Sequence, residues 1–235
     1  MKSILATLAL IATASASAVA ITIGDSDERV EGRSAPAEAT DDADIEEARR
    51  AFLEDTVAPT VKPASYDVTI VEYTDYQCPF CRAAHDALLK LTAEDKKVRI
   101  IYRDWPIFGA QSQRAARLAI ASQWQGKHAA FHDALMKAPR PLSEHAMKAA
   151  AQKAGVDWAK LQADLAARSS EIEALLERND EQAMQLGLGG TPGFIIGETL
   201  YAGGMDLAGL KEAVADARKA NTSKSAAQLS TGGGN

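Results

Sequence analysis

Residues 67–81 read Asp67-Val68-Thr69-Ile70-Val71-Glu72-Tyr73-Thr74-Asp75-Tyr76-Gln77-Cys78-Pro79-Phe80-Cys81, and their reading decides the fold. The β-branched and aromatic run 67–73 predicts a strand, and Arg82-Ala83-Ala84-His85-Asp86-Ala87-Leu88-Leu89 predicts a helix. Cys78 therefore falls at a strand-to-helix junction, where unpaired N–H groups and the helix dipole favour a thiolate over a thiol. Cys78 and Cys81 are the only cysteines in 235 residues. A disulfide between them closes almost no loop, so it does little as a structural staple and the pair reads as reactive. A free cysteine titrates near ~8.5, and in this setting the value falls to roughly 3.5 to 7. Cys78 is thus the expected nucleophile and Cys81, one turn further and more enclosed, the expected resolving thiol. Pro79 suits a first helical turn, where a missing N–H costs nothing.

Outward from the motif, residues 1–20 have Lys2 as a minimal positive start, an apolar stretch 4–12 and a small-x-small site at Ala18-Val19-Ala20. This is the pattern of a secretory signal peptide. The alternative is an uncleaved N-terminal membrane anchor, since residues 3–23 carry no charge, although the Ala/Ser/Thr-rich second half is weakly apolar for a span. Export puts the dithiol in an oxidising compartment, the periplasm being the expected one, where disulfides are made and exchanged. The formal charge of −6, which loss of Lys2 makes one unit more negative, argues against nucleic acid as a partner.

Residues 21–57 are expected as an acidic linker followed by a short helix over 44–54, with Ile45, Ala48, Phe52 and Leu53 on one apolar face. That face packs on the domain or serves homo-oligomerisation. Residues 58–220 form the expected main domain. Within it Val98-Arg99-Ile100-Ile101-Tyr102-Arg103-Asp104-Trp105 reads as a second strand, ended by Pro106. A helical block spans about 108–187, with breaks at Gly126, Pro139-Arg140-Pro141, Gly155 and Ser169-Ser170. Residues 193–203 read as a hairpin turning near Gly197-Glu198, and a last helix covers 206–219 before a disordered tail, 221–235. An initial βαβ followed by an antiparallel hairpin and helix is an α/β thioredoxin fold with a helical insertion between the second strand and the hairpin.

The chain resembles the DsbA-like thiol:disulfide oxidoreductases, particularly the branch with BdbD-like and ScsC-like proteins. Four stretches carry the resemblance: Val71 through Cys81; Tyr102-Arg103-Asp104-Trp105-Pro106; Gln125-Gly126-Lys127 with Phe131-His132-Asp133-Ala134-Leu135; and Gly190-Thr191-Pro192-Gly193-Phe194. The resemblance implies that Cys78 is the nucleophile, Cys81 the resolving cysteine, and the two together a redox-active disulfide. It implies that Thr191-Pro192 is the segment whose proline is cis, lies beside the disulfide and offers backbone to a substrate chain. Without the cysteine motif Pro192 reads as an ordinary trans turn. Glu72, six residues before Cys78, matches the family's buried acid, and an inward acid there has a raised pKa and relays protons during exchange. Its other reading is a solvent-facing strand carboxylate.

Phe80 stands where strongly oxidising members often carry His, and Thr191 precedes the proline where both isomerases and oxidants carry Thr. Oxidation, isomerisation and reduction of the ScsC type therefore stay open. Pro79, Phe80, Thr191 and Pro192 are the expected substrate-facing residues, with Tyr76 either rim or core. Expected partners are cysteine-containing exported proteins and a redox partner, membrane-bound in one version, that resets the dithiol. No metal or organic cofactor is expected: Cys78, Cys81 and His85 supply at most three zinc ligands, and Arg82 fills the histidine position of a haem-attachment motif. His85 reads as a surface group, and His128 and His132, four apart on a helix, as packing or capping groups. A non-enzymatic copper-handling or chaperone protein is the binding-module alternative.

Overall fold

β-Branched side chains favour extended backbone, and they build the two central strands of a five-stranded sheet. The computed structural model describes residues 42–231. The expected signal segment 1–20 and the linker up to residue 41 lie outside them. The strands are β1 (Thr60–Val61), β2 (Val68–Thr74), β3 (Val98–Asp104), β4 (Gly193–Ile196) and β5 (Thr199–Ala202), in the order β1-β3-β2-β4-β5. β2 and β3 pair in parallel from Val68↔Val98 to Thr74↔Asp104, and the other pairings are antiparallel.

The βα turn after β2 leads into α2 (Pro79–Glu94). Between β3 and β4 run α3 (Ala110–Ala121), a 3₁₀ turn (Ser122–Gln125), α4 (His128–Met136), α5 (Glu144–Lys153), α6 (Trp158–Ala167) and α7 (Ser169–Gln185). The expected insertion is therefore helical, as read from its breaks. Gly126 and Gly155 end helical segments at φ 66° and 68°. Ser143 and Asp157 cap α5 and α6 by accepting from the Ala146 and Lys160 N–H groups at 3.1 and 3.0 Å. The chain closes with α8 (Leu207–Thr231).

One sheet face carries Ile70, Ile100, Tyr102, Phe194 and Ile196 against Ala84, Leu88 and Leu91 of α2 and Leu210 and Val214 of α8. Each large side chain so buried stabilises by roughly 1.5–3 kcal/mol. On the opposite face α7 is tied to the end of β3. The Trp105 Nε1–H donates to Asp180 at 2.7 Å, and the Asn179 amide donates to the Asp104 carbonyl at 2.9 Å. Arg103, fully buried, donates to Asn179 Oδ1 and to Asp55, which also accepts from Arg178. A buried guanidinium needs such partners, because a lone charge there is strongly destabilising.

Two readings change. The two-residue edge strand β1 was not anticipated, so the strand at 98 is the third and not the second; two residues hemmed by Pro59 and Pro63 leave no periodicity to read. Residues 221–231, expected as disordered tail, continue α8, since no Pro or Gly interrupts the chain before Gly232. A helix expected at 44–54 is present as α1 (Asp42–Leu53), in a unit that ends at Glu54, and the side chains of its Ile45 and Ala48 lie outside the described set. Among the described residues, no helix is long and apolar enough to cross a membrane.

The hairpin start is tightly packed. A Cβ at Gly193 would lie 2.8 Å from both Leu188 methyl carbons. Gly193→Ala is expected to cost about 1–2 kcal/mol in urea unfolding, since Leu188 must leave its rotamer; an unchanged midpoint would show that Leu188 shifts freely.

Candidate active site

Cys78 is the N-cap of α2, extended at φ −70° and ψ 122°, with Pro79 in the first helical turn. Its N–H donates to the Asp75 carbonyl at 3.1 Å, and its own carbonyl accepts from Arg82 at 3.3 Å. The Thr191 carbonyl lies 3.3 Å from the Cys78 Sγ, to which the thiol form donates, and the Thr191–Pro192 peptide bond is cis. The residues of two separated stretches thus meet at one sulfur. Pro192 is buried, Thr191 half-buried, and Pro79 and Phe80 are exposed, Phe80 at 67%. Tyr76, left open between rim and core, is core: it is 1% exposed.

The two thiols have opposite electrostatics. The Cys81 thiol, the Thr191 hydroxyl and the backbone N–H groups of Cys81 and Phe80 stabilise the Cys78 thiolate against burial and bring its pKa down to about 5. Burial, together with the adjacent Cys78 sulfur, pushes Cys81 far above the ordinary thiol range. The Asp75 N–H reaches the Cys81 Sγ at 3.4 Å. At neutral pH this is a thiolate next to a thiol, the division of labour that exchange chemistry requires.

Asp75 was missed by sequence reasoning. Its carboxylate accepts from the Gln77 N–H at 2.7 Å, the Ser112 hydroxyl at 2.7 Å and the Phe108 N–H at 3.0 Å. One buried side chain thereby fastens the turn before Cys78 to the start of α3. An acid two residues before the end of such a turn is an Asx-turn signal that was available in Asp75-Tyr76-Gln77.

Glu72 is fully buried on the face of β2 that α2 covers, beside Tyr102 of β3 and Phe194 of β4 in register. Neither carboxyl oxygen has a hydrogen-bond partner among the described residues. Loss of water, and next the like charge of Asp104, push its pKa up to about 8. The inward reading of Glu72 is therefore the correct one, and the solvent-facing alternative falls. Asp104, one register step along the same face, is also buried with both oxygens unpartnered, and burial brings it to about 7.

Three buried histidines pack on one another and on Tyr102. His85, read as a surface group, is only 2% exposed and bonds Asp133 through Nε2 at 3.0 Å. Position 85 shares a helix face with Cys81 and Leu88, and that spacing was the signal for its burial. His128 and His132 pack on Tyr102 with ring centroids 5.1 and 4.4 Å apart, as packing groups. Burial holds His128 down at about 3 and His132 well below the imidazole range. Among the described residues no group of three or more His, Cys, Asp or Glu side chains is arranged to hold a metal ion.

A groove of about 550 Å³ opens beside the motif, between α2 and the β5–α8 connection. Phe80, Ala83, Ala87, Met205 and Leu207 give it an apolar lining, with Lys90 at its edge.

Comparison with known proteins gives a consistent picture. The model of the DSBA-like thioredoxin domain matches residues 69–215. A thioredoxin-like oxidoreductase from Silicibacter pomeroyi is 38% identical, with a TM-score of 0.69 over 73% of this chain and 98% of that one. The thiol-disulfide exchange protein alpha-DsbA2 from Wolbachia pipientis is 27% identical, with a TM-score of 0.68 over 73% of this chain and 92% of that one. Among curated proteins, the Na(+)/H(+) antiporter NhaA 1 of Salinispora arenicola is 27% identical over 157 residues, 66% of this chain and 24% of the antiporter. The chain thus spans about a quarter of the length of the curated relatives it matches.

Proposed function

The chain belongs to the DSBA-like thioredoxin domain family, and from that premise we propose that it is an exported thiol:disulfide oxidoreductase acting on cysteine-containing polypeptides through Cys78 and Cys81. The observation that carries this reading is the pairing of a stabilised Cys78 thiolate with a protonated, enclosed Cys81 at a helix N-terminus under the Thr191 carbonyl. The signal-like segment 1–20 supports export to the periplasm.

In the oxidising direction a substrate thiolate attacks the Cys78 Sγ of the disulfide and the electron pair of the S–S bond leaves on Cys81, which takes up a proton. The second substrate thiolate then attacks the substrate sulfur of the mixed disulfide and expels Cys78 as thiolate. The substrate is oxidised by two electrons and the protein reduced by two. Cys78 leaves readily because helix N–H groups and the Cys81 thiol stabilise its charge, and the same stabilisation makes the disulfide form oxidising. Cys81 needs a proton donor, and we assign that role to Glu72, a fully buried acid whose pKa is pushed up to about 8. The exposed Phe80 and the apolar groove provide a surface for unfolded chain, and the backbone beside Pro192 provides an edge for it to pair with.

The test is the titration of Cys78, read from thiolate ultraviolet absorbance. A midpoint near 5 is expected, and Cys81→Ala should raise it because the strongest single donor to the thiolate is gone. A midpoint near the free-cysteine value of about 8.5 would remove the basis of the proposal.

A further inference from the structure

The planar guanidinium of arginine is a fork of N–H donors that matches a carboxylate. Arg103, Arg114, Arg117, Arg168, Arg178 and Arg218 each pair with an Asp or Glu side chain. Arg82 and Arg140 have no such ion pair among the described residues, and both stand at the active-site turn. They donate to main-chain carbonyls there. The Arg82 Nε–H donates to the Tyr76 carbonyl at 2.9 Å, and its Nη1 donates to the Ala138 carbonyl. Arg140 Nη1 donates at 3.3 Å to the Gln77 carbonyl, which belongs to the peptide bond leading into Cys78. Arg140 comes from the loop between α4 and α5. That loop is seated on the turn by the Leu142 N–H, which donates to Gln77 Oε1 at 2.9 Å.

The two guanidiniums oppose each other. Burial, and next the like charge of Arg140, lower the pKa of Arg82, and the Asp75 carboxylate offsets this only in part. Asp75 is itself committed to the Gln77 and Phe108 N–H groups and to the Ser112 hydroxyl. Lys137, three residues before Arg140, is already paired with Asp133. The active-site turn of a chain with a net charge of −6 thus carries two cations that lack an anion.

We propose that Arg140, backed by Arg82, binds a side-chain carboxylate flanking the reacting cysteine of the substrate polypeptide, so that the protein selects cysteines in acidic sequence. The inference rests on the oxidoreductase reading and names a substrate class for it. Arg140 is exposed and Arg82 half-buried, so the first presents its remaining donors to a ligand and the second adds charge behind it. A substrate cysteine bonded to Cys78 brings its neighbouring side chains to the turn at 76–78. A carboxylate arriving there takes the fork of Arg140 and relieves the repulsion between the two guanidiniums. The net charge of the chain acts the other way, repelling acidic peptides at long range. A preference for them therefore reports a local site.

The experiment takes the reduced full-length protein and two peptide disulfides with blocked termini, one with Glu and one with Gln on both sides of its cysteine. The Cys78 thiolate attacks one peptide sulfur, the other leaves as thiolate, and acid-quenched mass analysis follows the mixed disulfide. The readout is the Glu rate divided by the Gln rate. Comparing this ratio between native protein and variant cancels the intrinsic reactivity of the peptides and any general change at Cys78. Arg140→Ala is expected to lower the ratio about fivefold at low salt, and Arg140→Glu to lower it further. Arg82→Met, which keeps an apolar stem in place, is expected to lower it as well. About 1 M salt, where screening acts within ~3 Å, should bring the native ratio down to that of Arg140→Ala. Native ratios in both Arg140→Ala and Arg140→Glu would overturn the proposal. If the native protein forms a mixed disulfide with neither peptide, the oxidoreductase reading fails instead.

Discussion

Cys81→Ser is expected to arrest exchange at the mixed disulfide, with reduction of a disulfide-containing substrate falling about a thousandfold or more. Cys78 still attacks a substrate disulfide in this variant, because the helix N-terminus, the Phe80 N–H and the Thr191 hydroxyl continue to stabilise its thiolate. Release requires a second thiolate adjacent to Cys78 Sγ, and serine supplies only a hydroxyl. The adduct should therefore accumulate as a covalent species removable by reductant, and Cys78→Ser should form none. The measurement is mass analysis after incubation with a disulfide-containing polypeptide. A Cys81→Ser protein that turned over normally would mean that resolution comes from elsewhere.

Glu72→Gln is expected to stabilise the protein, and by an amount that depends on pH. The native-state value of about 8 lies above the unfolded carboxyl value of 4.5. Between these two the folded state binds more protons, so stability falls as pH rises from about 4.5 and the loss is complete above about 8. Glutamine mimics the neutral acid and removes this slope. The gain should be near zero at acid pH and roughly 4 kcal/mol at pH 8, read from urea unfolding across that range. His128 and His132 act at the other end: their depressed values stabilise the fold above the ordinary imidazole range, and that stability drains away as pH falls below it. Equal unfolding midpoints for Glu72→Gln and the native protein at pH 8 would contradict the buried position. The same variant should lose speed in closure by Cys81, so the site trades stability for proton handling.

Much of this was legible in the chain because local chemistry and topology agree. The strand 67–73, the junction at Cys78, the helix breaks at Gly126 and Gly155 and the turn at Gly197 each follow from residues whose backbone preferences are strong. Thr191 and Pro192 were placed beside the cysteines by family resemblance, since nothing local ties residue 191 to residue 78. The buried polar cluster was not legible. Asp104 was noted as part of a strand and His85 as a surface group, because the sign of a polar residue's environment depends on which helix covers which strand face. Register pairing Thr74 with Asp104, and the seating of α4 over Tyr102, are tertiary facts. The edge strand at Thr60 and the extension of the last helix past Asn221 escaped for a simpler reason: one is too short to show a period and the other too polar to show a face.

The most direct test of the central claim is the equilibrium of the Cys78–Cys81 pair in glutathione buffers, run beside refolding of a reduced and a scrambled disulfide substrate. The account predicts a reversible two-electron equilibrium at an oxidising potential, toward the ~−120 mV of strong dithiol oxidants, with catalysis of reduced-substrate oxidation. A pair as reducing as thioredoxin at ~−270 mV, or one that exchanges with neither glutathione nor substrate, would contradict it.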